Sequence, residues 1–189
     1  MSSPVPICRT ITVVAFRGDH SRTFASAFLK MLDDEKNGRG AGPTVLDCLF
    51  LAGHTGVSTD AATTIYGFNP DCGPIPVWQW MDRLKNGEPF PGVVRDDMAV
   101  FSAASKRGLT VQSFNVILPE PKFQDFVRTL DGERKNSQYT YGFPNGDGDC
   151  NCITWLERLT LPLLTGHIDE LLSLPGIVAY PNRRFGKCV

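Results

Sequence analysis

No apolar run in this chain comes near the roughly 18 residues that a membrane-crossing helix needs. The stretch from Ile11 to Phe16 is interrupted by Thr12. There is no basic field either. Lys and Arg number 19 against 20 Asp and Glu, and the basic residues are scattered apart from Arg183-Arg184 near the end. A nucleic-acid-binding surface is therefore not expected. The opening MSSPVPICRTITVVAF lacks the basic start and continuous apolar core of a secretion signal, which predicts a cytoplasmic chain or one secreted without a cleaved signal. Repeats, low-complexity tracts and evident linkers are absent, and histidine is scarce, with three in all.

What is present suits an ordinary globular domain. A length of 189 residues with 42% hydrophobic content can bury a core without disulfide staples. The six cysteines are Cys8, Cys48, Cys72, Cys150, Cys152 and Cys188. Without a secretion signal they are expected as free thiols rather than a disulfide framework. Thr10 to Phe16 is β-branched and reads as a strand, and SRTFASAFLKMLDDEK after it reads as a helix. TVLDCLFLAGHTGVSTD reads as a long strand. It pairs with TTIYGFNPD as a hairpin over Thr44 to Phe68, with its turn near Thr59-Asp60-Ala61-Ala62. VWQWMDRLK reads as a helix, EPFPGVV as loop, and RDDMAVFSAASK as a weaker helix. TVQSFNVIL alternates and suits a strand. EPKFQDFVRTLDGERK is a helix, SQYTYGF a short strand or loop entry, NCITWLERLT a strong helix and HIDELLSLPG a short one. The expected class is α+β, a single domain over residues 1–189.

The chemistry concentrates in DCNCITW. Asn151 and Asp149 are N-cap residue types, so Cys152 falls in the first turn of the helix. The positive end of the helix dipole and the free N–H groups there favour a thiolate and can hold a developing oxyanion. Cys150, two residues earlier, lacks that placement. A nucleophilic thiol needs a base. His54, in AGHTGVS at the end of an apolar run and flanked by glycines, is the histidine best placed to be presented into a cleft. His20 and His167 read as surface or capping residues.

HTGVSTDAATTIYGF and DCNCITWLERLTLPLLTG together resemble the PPPDE peptidases, the family of desumoylating isopeptidases. In that family a histidine-led H-[ST]-G-[VI] strand precedes an N-C-N-H-F helix. Broader relatives include the lecithin retinol acyltransferase-like proteins. The resemblance implies a circularly permuted papain-like fold: an antiparallel sheet carrying His54, packed against the helix that starts at Cys152. It implies that Cys152 is the nucleophile and His54 the general base, and it treats about 69–142 as an insertion. Position 154 is Thr where the motif has His, and position 155 is Trp where it has Phe. The third member is left open among Tyr66, Asn69 and Ser58, which could orient the imidazole or bind substrate. Asn151 and Trp155 are further candidates beside the nucleophile, the latter as core or as a wall of the cleft.

The expected activity is hydrolysis of an amide, peptide or isopeptide bond through an acyl-enzyme, on a protein or peptide substrate, with no cofactor and no metal. Lipid acyl transfer or thioester hydrolysis is the alternative within the same chemistry. A non-catalytic binding module is another, and so is a zinc site drawn from Cys150, Cys152, His54 and Cys72. The zinc reading is weakened by C-x-C spacing and the lack of a second close pair. The enzyme reading makes Cys8, Cys48, Cys72 and Cys188 dispensable: Cys48→Ser and Cys72→Ser should retain full activity. Peptide mapping after iodoacetamide treatment should find Cys152 labelled ahead of Cys150.

Overall fold

The computed structural model describes residues 7–142 and 149–160. The elements run β1 (Cys8–Arg17), α1 (Arg22–Lys36), α2 (Val45–Ala52), β2 (Gly53–Ser58), β3 (Tyr66–Pro70), α3 (Val77–Lys85) and β4 (Phe90–Asp96). They continue with α4 (Met98–Lys106), β5 (Val111–Pro119), α5 (Glu120–Lys135), β6 (Thr140–Tyr141), β7 (Asp149–Cys150) and α6 (Cys152–Thr160). The strands form one sheet in the order β5-β1-β2-β3-β4-β6-β7. Six strands are linked by antiparallel pairings, and the two-residue β7 adds a parallel pairing to β6. The class is mixed α+β. None of the described helices is long and apolar enough to cross a membrane.

β1 explains why the sheet is covered on both faces. Its β-branched run is buried from Ile11 to Phe16. Alternate side chains divide between two cores. Ile11, Val13 and Ala15 join Val57 and Phe68 beneath Phe126 and Leu130 of α5 and Trp155, Leu156 and Leu159 of α6. Val14 and Phe16 point the other way, onto Phe24, Leu49, Phe50 and Phe101 of α1, α2 and α4. A third cluster, with Phe28, Cys48, Trp80 and Phe90, seats α3 against α1 and β4.

Two segments differ from the sequence expectation. Residues 45–52, expected as strand, form α2. The reason is local: Thr44 and Asp47 make a reciprocal capping box, with the Thr44 N–H donating to Asp47 Oδ2 at 2.8 Å and the Asp47 N–H donating to Thr44 Oγ1 at 3.2 Å. Helical winding then lets Cys48, Leu49 and Phe50 all be buried. Gly53, at φ 88°, turns the chain from helix into β2, and a Cβ there would lie 2.8 Å from the Phe16 carbonyl oxygen. EPFPGVV, expected as loop, supplies most of β4. Pro91 sits near the strand's start, where it pairs with Thr140 and its carbonyl still accepts from the Asp71 N–H at 2.8 Å. The reach from 69 to 142 thus contributes β4, β5 and β6 to the common sheet.

The turn between β2 and β3 lies where the sequence places it. Ala61 and Ala62 adopt φ of 57° and 65°, a left-handed conformation costly for alanine. Ser58 and Asp60 hold them there. Ser58 Oγ accepts from the Ala62 N–H at 2.9 Å, and Asp60 Oδ1 accepts from Ser58 Oγ at 2.8 Å and from the Thr64 N–H at 2.9 Å. The helix expected over HIDELLSLPG, His167 and Cys188 lie outside the described residues.

Trp155 is fully buried and stacks on Phe68, with ring centroids 5.8 Å apart and planes 12° from parallel. It is therefore the keystone between α6 and the sheet. Trp155→Ala should cost about 3–5 kcal/mol, as large aromatic-to-alanine changes in cores do. Urea denaturation should show this as a lower midpoint with an unchanged slope.

Candidate functional site

The site forms where β2 and β3 part. Their ladder holds only two pairs, Gly56 with Gly67 and Val57 with Tyr66. Toward the start of β2 and the end of β3 the strands have no further pairing. His54, Thr55 and Asn69 sit at this open end, and α6 packs on both strands. Strand alternation sends neighbouring side chains of β2 to opposite faces. The His54 ring lies on the α4 side, with centroids 6.3 Å from Phe16 and 5.7 Å from Phe101. Thr55 takes the α6 side, where its hydroxyl donates to the Cys152 carbonyl at 2.8 Å.

His54 is completely buried. Its Nε2–H donates to Asp97 Oδ2 at 2.7 Å. The same carboxylate oxygen accepts from Asn69 Nδ2 at 2.8 Å, and Asn69 Nδ2 also reaches the Gly67 carbonyl at 3.1 Å. Asp97 is itself buried at the joint between β4 and α4, with its backbone N–H donating to the Ile65 carbonyl at 2.7 Å. Gly67 makes the approach possible: a Cβ there would stand 2.0 Å from Asp97 Oδ2 and 2.6 Å from His54 Nε2. No other residue fits without breaking the pair.

Cys152 opens α6, as the sequence predicts. Asn151 is the N-cap: its Oδ1 accepts from the N–H groups of Ile153 at 2.9 Å and Thr154 at 3.0 Å. Thr154 Oγ1 returns the favour by accepting from the Asn151 N–H at 2.9 Å. Thr154 is thus a capping residue.

The electrostatics of the two buried groups are mutual. Burial alone pushes the His54 imidazole down, but the Cys152 thiolate and the Asp97 carboxylate outweigh it and raise its pKa from 6.5 to about 10. Burial pushes the Cys152 thiol up, while the His54 charge outweighs it, helped by the backbone N–H and hydroxyl of Thr55, and the pKa is lowered. Both shifts favour a thiolate beside an imidazolium. The second imidazole nitrogen, Nδ1, is buried and has no hydrogen-bond partner of good geometry. Catalytic contacts are often long or poorly aligned before substrate binds. Two other thiols move the opposite way. Burial, reinforced by the neighbouring carboxylates of Asp47 and Asp71, raises Cys48 and Cys72 to about 12.

The remaining sequence candidates divide clearly. Asn69 is in the site, acting on Asp97 rather than on the imidazole. Ser58 belongs to the β2–β3 turn. Tyr66 lies on the other face, 4.2 Å beneath the Arg134 guanidinium. Asn151 is committed to the helix cap and Trp155 to the core. Cys48, Cys72 and Cys152 are free thiols, as expected. Cys150 is not: it is buried and disulfide-bonded, which corrects the expectation that all thiols are free. A zinc site using Cys150 loses a ligand by the same fact. Among the described residues no group of three or more His, Cys, Asp or Glu side chains is placed to hold a metal.

Asp97 is the site residue that sequence reasoning missed. Asp96-Asp97 before a helix reads as capping, and only the β3–β4 pairing, with Asn69 opposite Val93, brings the second carboxylate under His54. A cavity of about 380 Å³ opens beside Asp97 and Asn69, walled by Val45, Leu46, Leu49 and Val100. No known family model, curated protein or solved structure matches this chain.

The pair sets a pH signature for stability. The raised imidazole contributes stability that is complete below the ordinary histidine value of 6.5 and is lost as pH rises toward about 10. The lowered thiol contributes stability that is complete above the ordinary cysteine value of 9.0 and is lost as pH falls through its folded value. Above 9.0 the unfolded cysteine loses its proton while folded His54 keeps one until about 10, so stability falls with base. Denaturation of wild type and Cys152→Ala should show the fall above 9.0 shrink in the variant.

Proposed function

We propose that the protein is a thiol hydrolase that cleaves an amide, peptide or isopeptide bond through an acyl-enzyme on Cys152. The observation that carries this reading is the buried chain of groups Cys152, His54 and Asp97, with the 2.7 Å bond from His54 Nε2 to Asp97 fixing the imidazole. That bond leaves Nδ1 as the nitrogen for the thiol. The thiolate, formed in advance by transfer of its proton to His54, attacks the carbonyl carbon. The imidazolium then protonates the leaving amine, and the neutral ring takes a proton from the water that hydrolyses the thioester. Asp97 orients the ring throughout. Asn151 already occupies the N–H groups of Ile153 and Thr154, which assigns the oxyanion to the N–H of Cys152 itself.

The reading extends the dyad expected from sequence to a triad in Cys-His-Asp form. A permuted papain-like scaffold is the fold proposal that accompanies it, because the base precedes the nucleophile in the chain and the nucleophile heads a helix on an antiparallel sheet. The substrate proposed is a protein or peptide. Acyl transfer and thioester hydrolysis run through the same acyl-enzyme and are distinguished by assay.

Turnover of fluorogenic peptide, isopeptide and acyl-thioester substrates tests the proposal. Cys152→Ala should abolish it, and His54→Ala should lower it by about 10²–10⁴-fold, the range for a lost general base. Asp97→Asn should lower it as well, by less than His54→Ala. Full activity after quantitative alkylation of Cys152 would reject the assignment.

A further inference from the structure

Thr55 stands next to His54 in the chain and on the opposite face of the sheet. It is fully buried, which is unusual for a threonine unless its hydroxyl is occupied. The hydroxyl is occupied by one acceptor only, the Cys152 carbonyl at 2.8 Å, across a sequence distance of 97 residues. That carbonyl belongs to the first residue of α6. The start of the helix is therefore held from two sides. Asn151 closes its N–H groups from within the chain, and Thr55 ties its first carbonyl to the strand that carries the base.

We propose that Thr55 is the positioning residue of the site: its hydroxyl holds the first peptide unit of α6 against β2, and so sets the thiol of Cys152 beside the imidazole of His54. The proposal rests on the thiol-hydrolase reading and adds a residue to it. The arrangement makes geometric sense because β2 alternates. One residue presents the imidazole toward Asp97 on one face, and the next reaches the nucleophile's helix on the other, so a single strand fixes both members of the pair. No flexible linker separates the two attachments. Movement of the helix relative to the base would have to stretch the Thr55 bond first.

The hydroxyl has a single proton to give. In the resting structure it goes to the carbonyl, yet Thr55 also favours the thiolate through its backbone N–H and its hydroxyl. Rotation about the Cβ–Oγ bond lets the same proton serve either acceptor without moving a heavy atom. Valine keeps the shape and the backbone N–H but lacks that proton. Serine keeps the proton and loses only a methyl group.

The test is the rate of iodoacetamide labelling of Cys152 against pH, read by peptide mapping, in wild type, Thr55→Val, Thr55→Ser and His54→Ala. Near-UV circular dichroism checks the fold of each. In Thr55→Val the labelling midpoint should move to higher pH, with the rate at pH 6 down by about three- to tenfold, the worth of one hydrogen bond. Thr55→Ser should restore the wild-type profile. A folded Thr55→Val with an unchanged profile overturns the proposal while the effect of His54→Ala leaves the catalytic pair standing. An ordinary thiol profile in wild type overturns both. If Thr55→Val does not fold, Thr55→Ala against Thr55→Ser decides, since only loss of the hydroxyl is to shift the profile.

Discussion

Placing an imidazole and a carboxylate together out of water is unfavourable unless each satisfies the other. The bond between His54 and Asp97 meets that condition, and the surrounding structure is arranged to preserve it. β2 supplies the imidazole and β3 supplies Gly67 and Asn69. The joint of β4 with α4 supplies the carboxylate, and α6 brings the thiol whose negative form favours a charged imidazole. Asn69 illustrates the economy of the arrangement. Its amide donates both to Asp97 and to the Gly67 carbonyl, so one side chain fixes the carboxylate relative to the strand that admits it. Removal of any one partner leaves a buried charge without compensation, the costly case.

The charge balance also explains why cysteines of one chain behave so differently. Cys48 is buried and Cys72 half-buried beside aromatic rings and carboxylates, where an anion is disfavoured, and both remain thiols. Cys152 is as buried as Cys48, but it faces the His54 imidazole, a threonine and a helix start. Burial strengthens whatever charge is nearby, because little water remains to screen it. The same desolvation that silences two thiols therefore makes the third responsive to its partner. Cys150, two residues away and locked in a disulfide, is removed from this competition altogether.

Much of this was legible in the sequence where the cause is local. The β-branched run of β1, the alternation in β5, the apolar stripe of α5 and the Asn-capped start of α6 each carry their own signal. The turn at Asp60 to Ala62 does too. What was not legible depended on competition between signals or on distant pairing. In residues 45–52 the apolar residues suit a strand, and the Thr44–Asp47 capping box tips them into a helix. In β4 the prolines suggested loop, whereas pairing with β3 and β6 holds the segment extended. His54 and Cys152 stand out by residue type and placement. Asp97 does not, because its partner lies 43 positions earlier and meets it only through the antiparallel pairing of β3 with β4. Tyr66 and Ser58 looked suitable by proximity in sequence, and strand alternation and turn chemistry take them elsewhere.

The turn that joins β2 to β3 has a role larger than its size. Side chains along a strand change face at every residue, so a slip of one position would exchange the two faces of β2. The imidazole would then point at α6, and the threonine hydroxyl would sit beside Asp97 with no charge to offer it. The glycines around His54 give the strand little side-chain bulk with which to resist such a slip. The two alanines held in left-handed geometry by Ser58 and Asp60 supply the resistance instead: they fix where the strand ends, and with it which face every earlier residue takes. A chemical centre on one end of β2 is in this sense indexed by a hydrogen-bonded bend at the other.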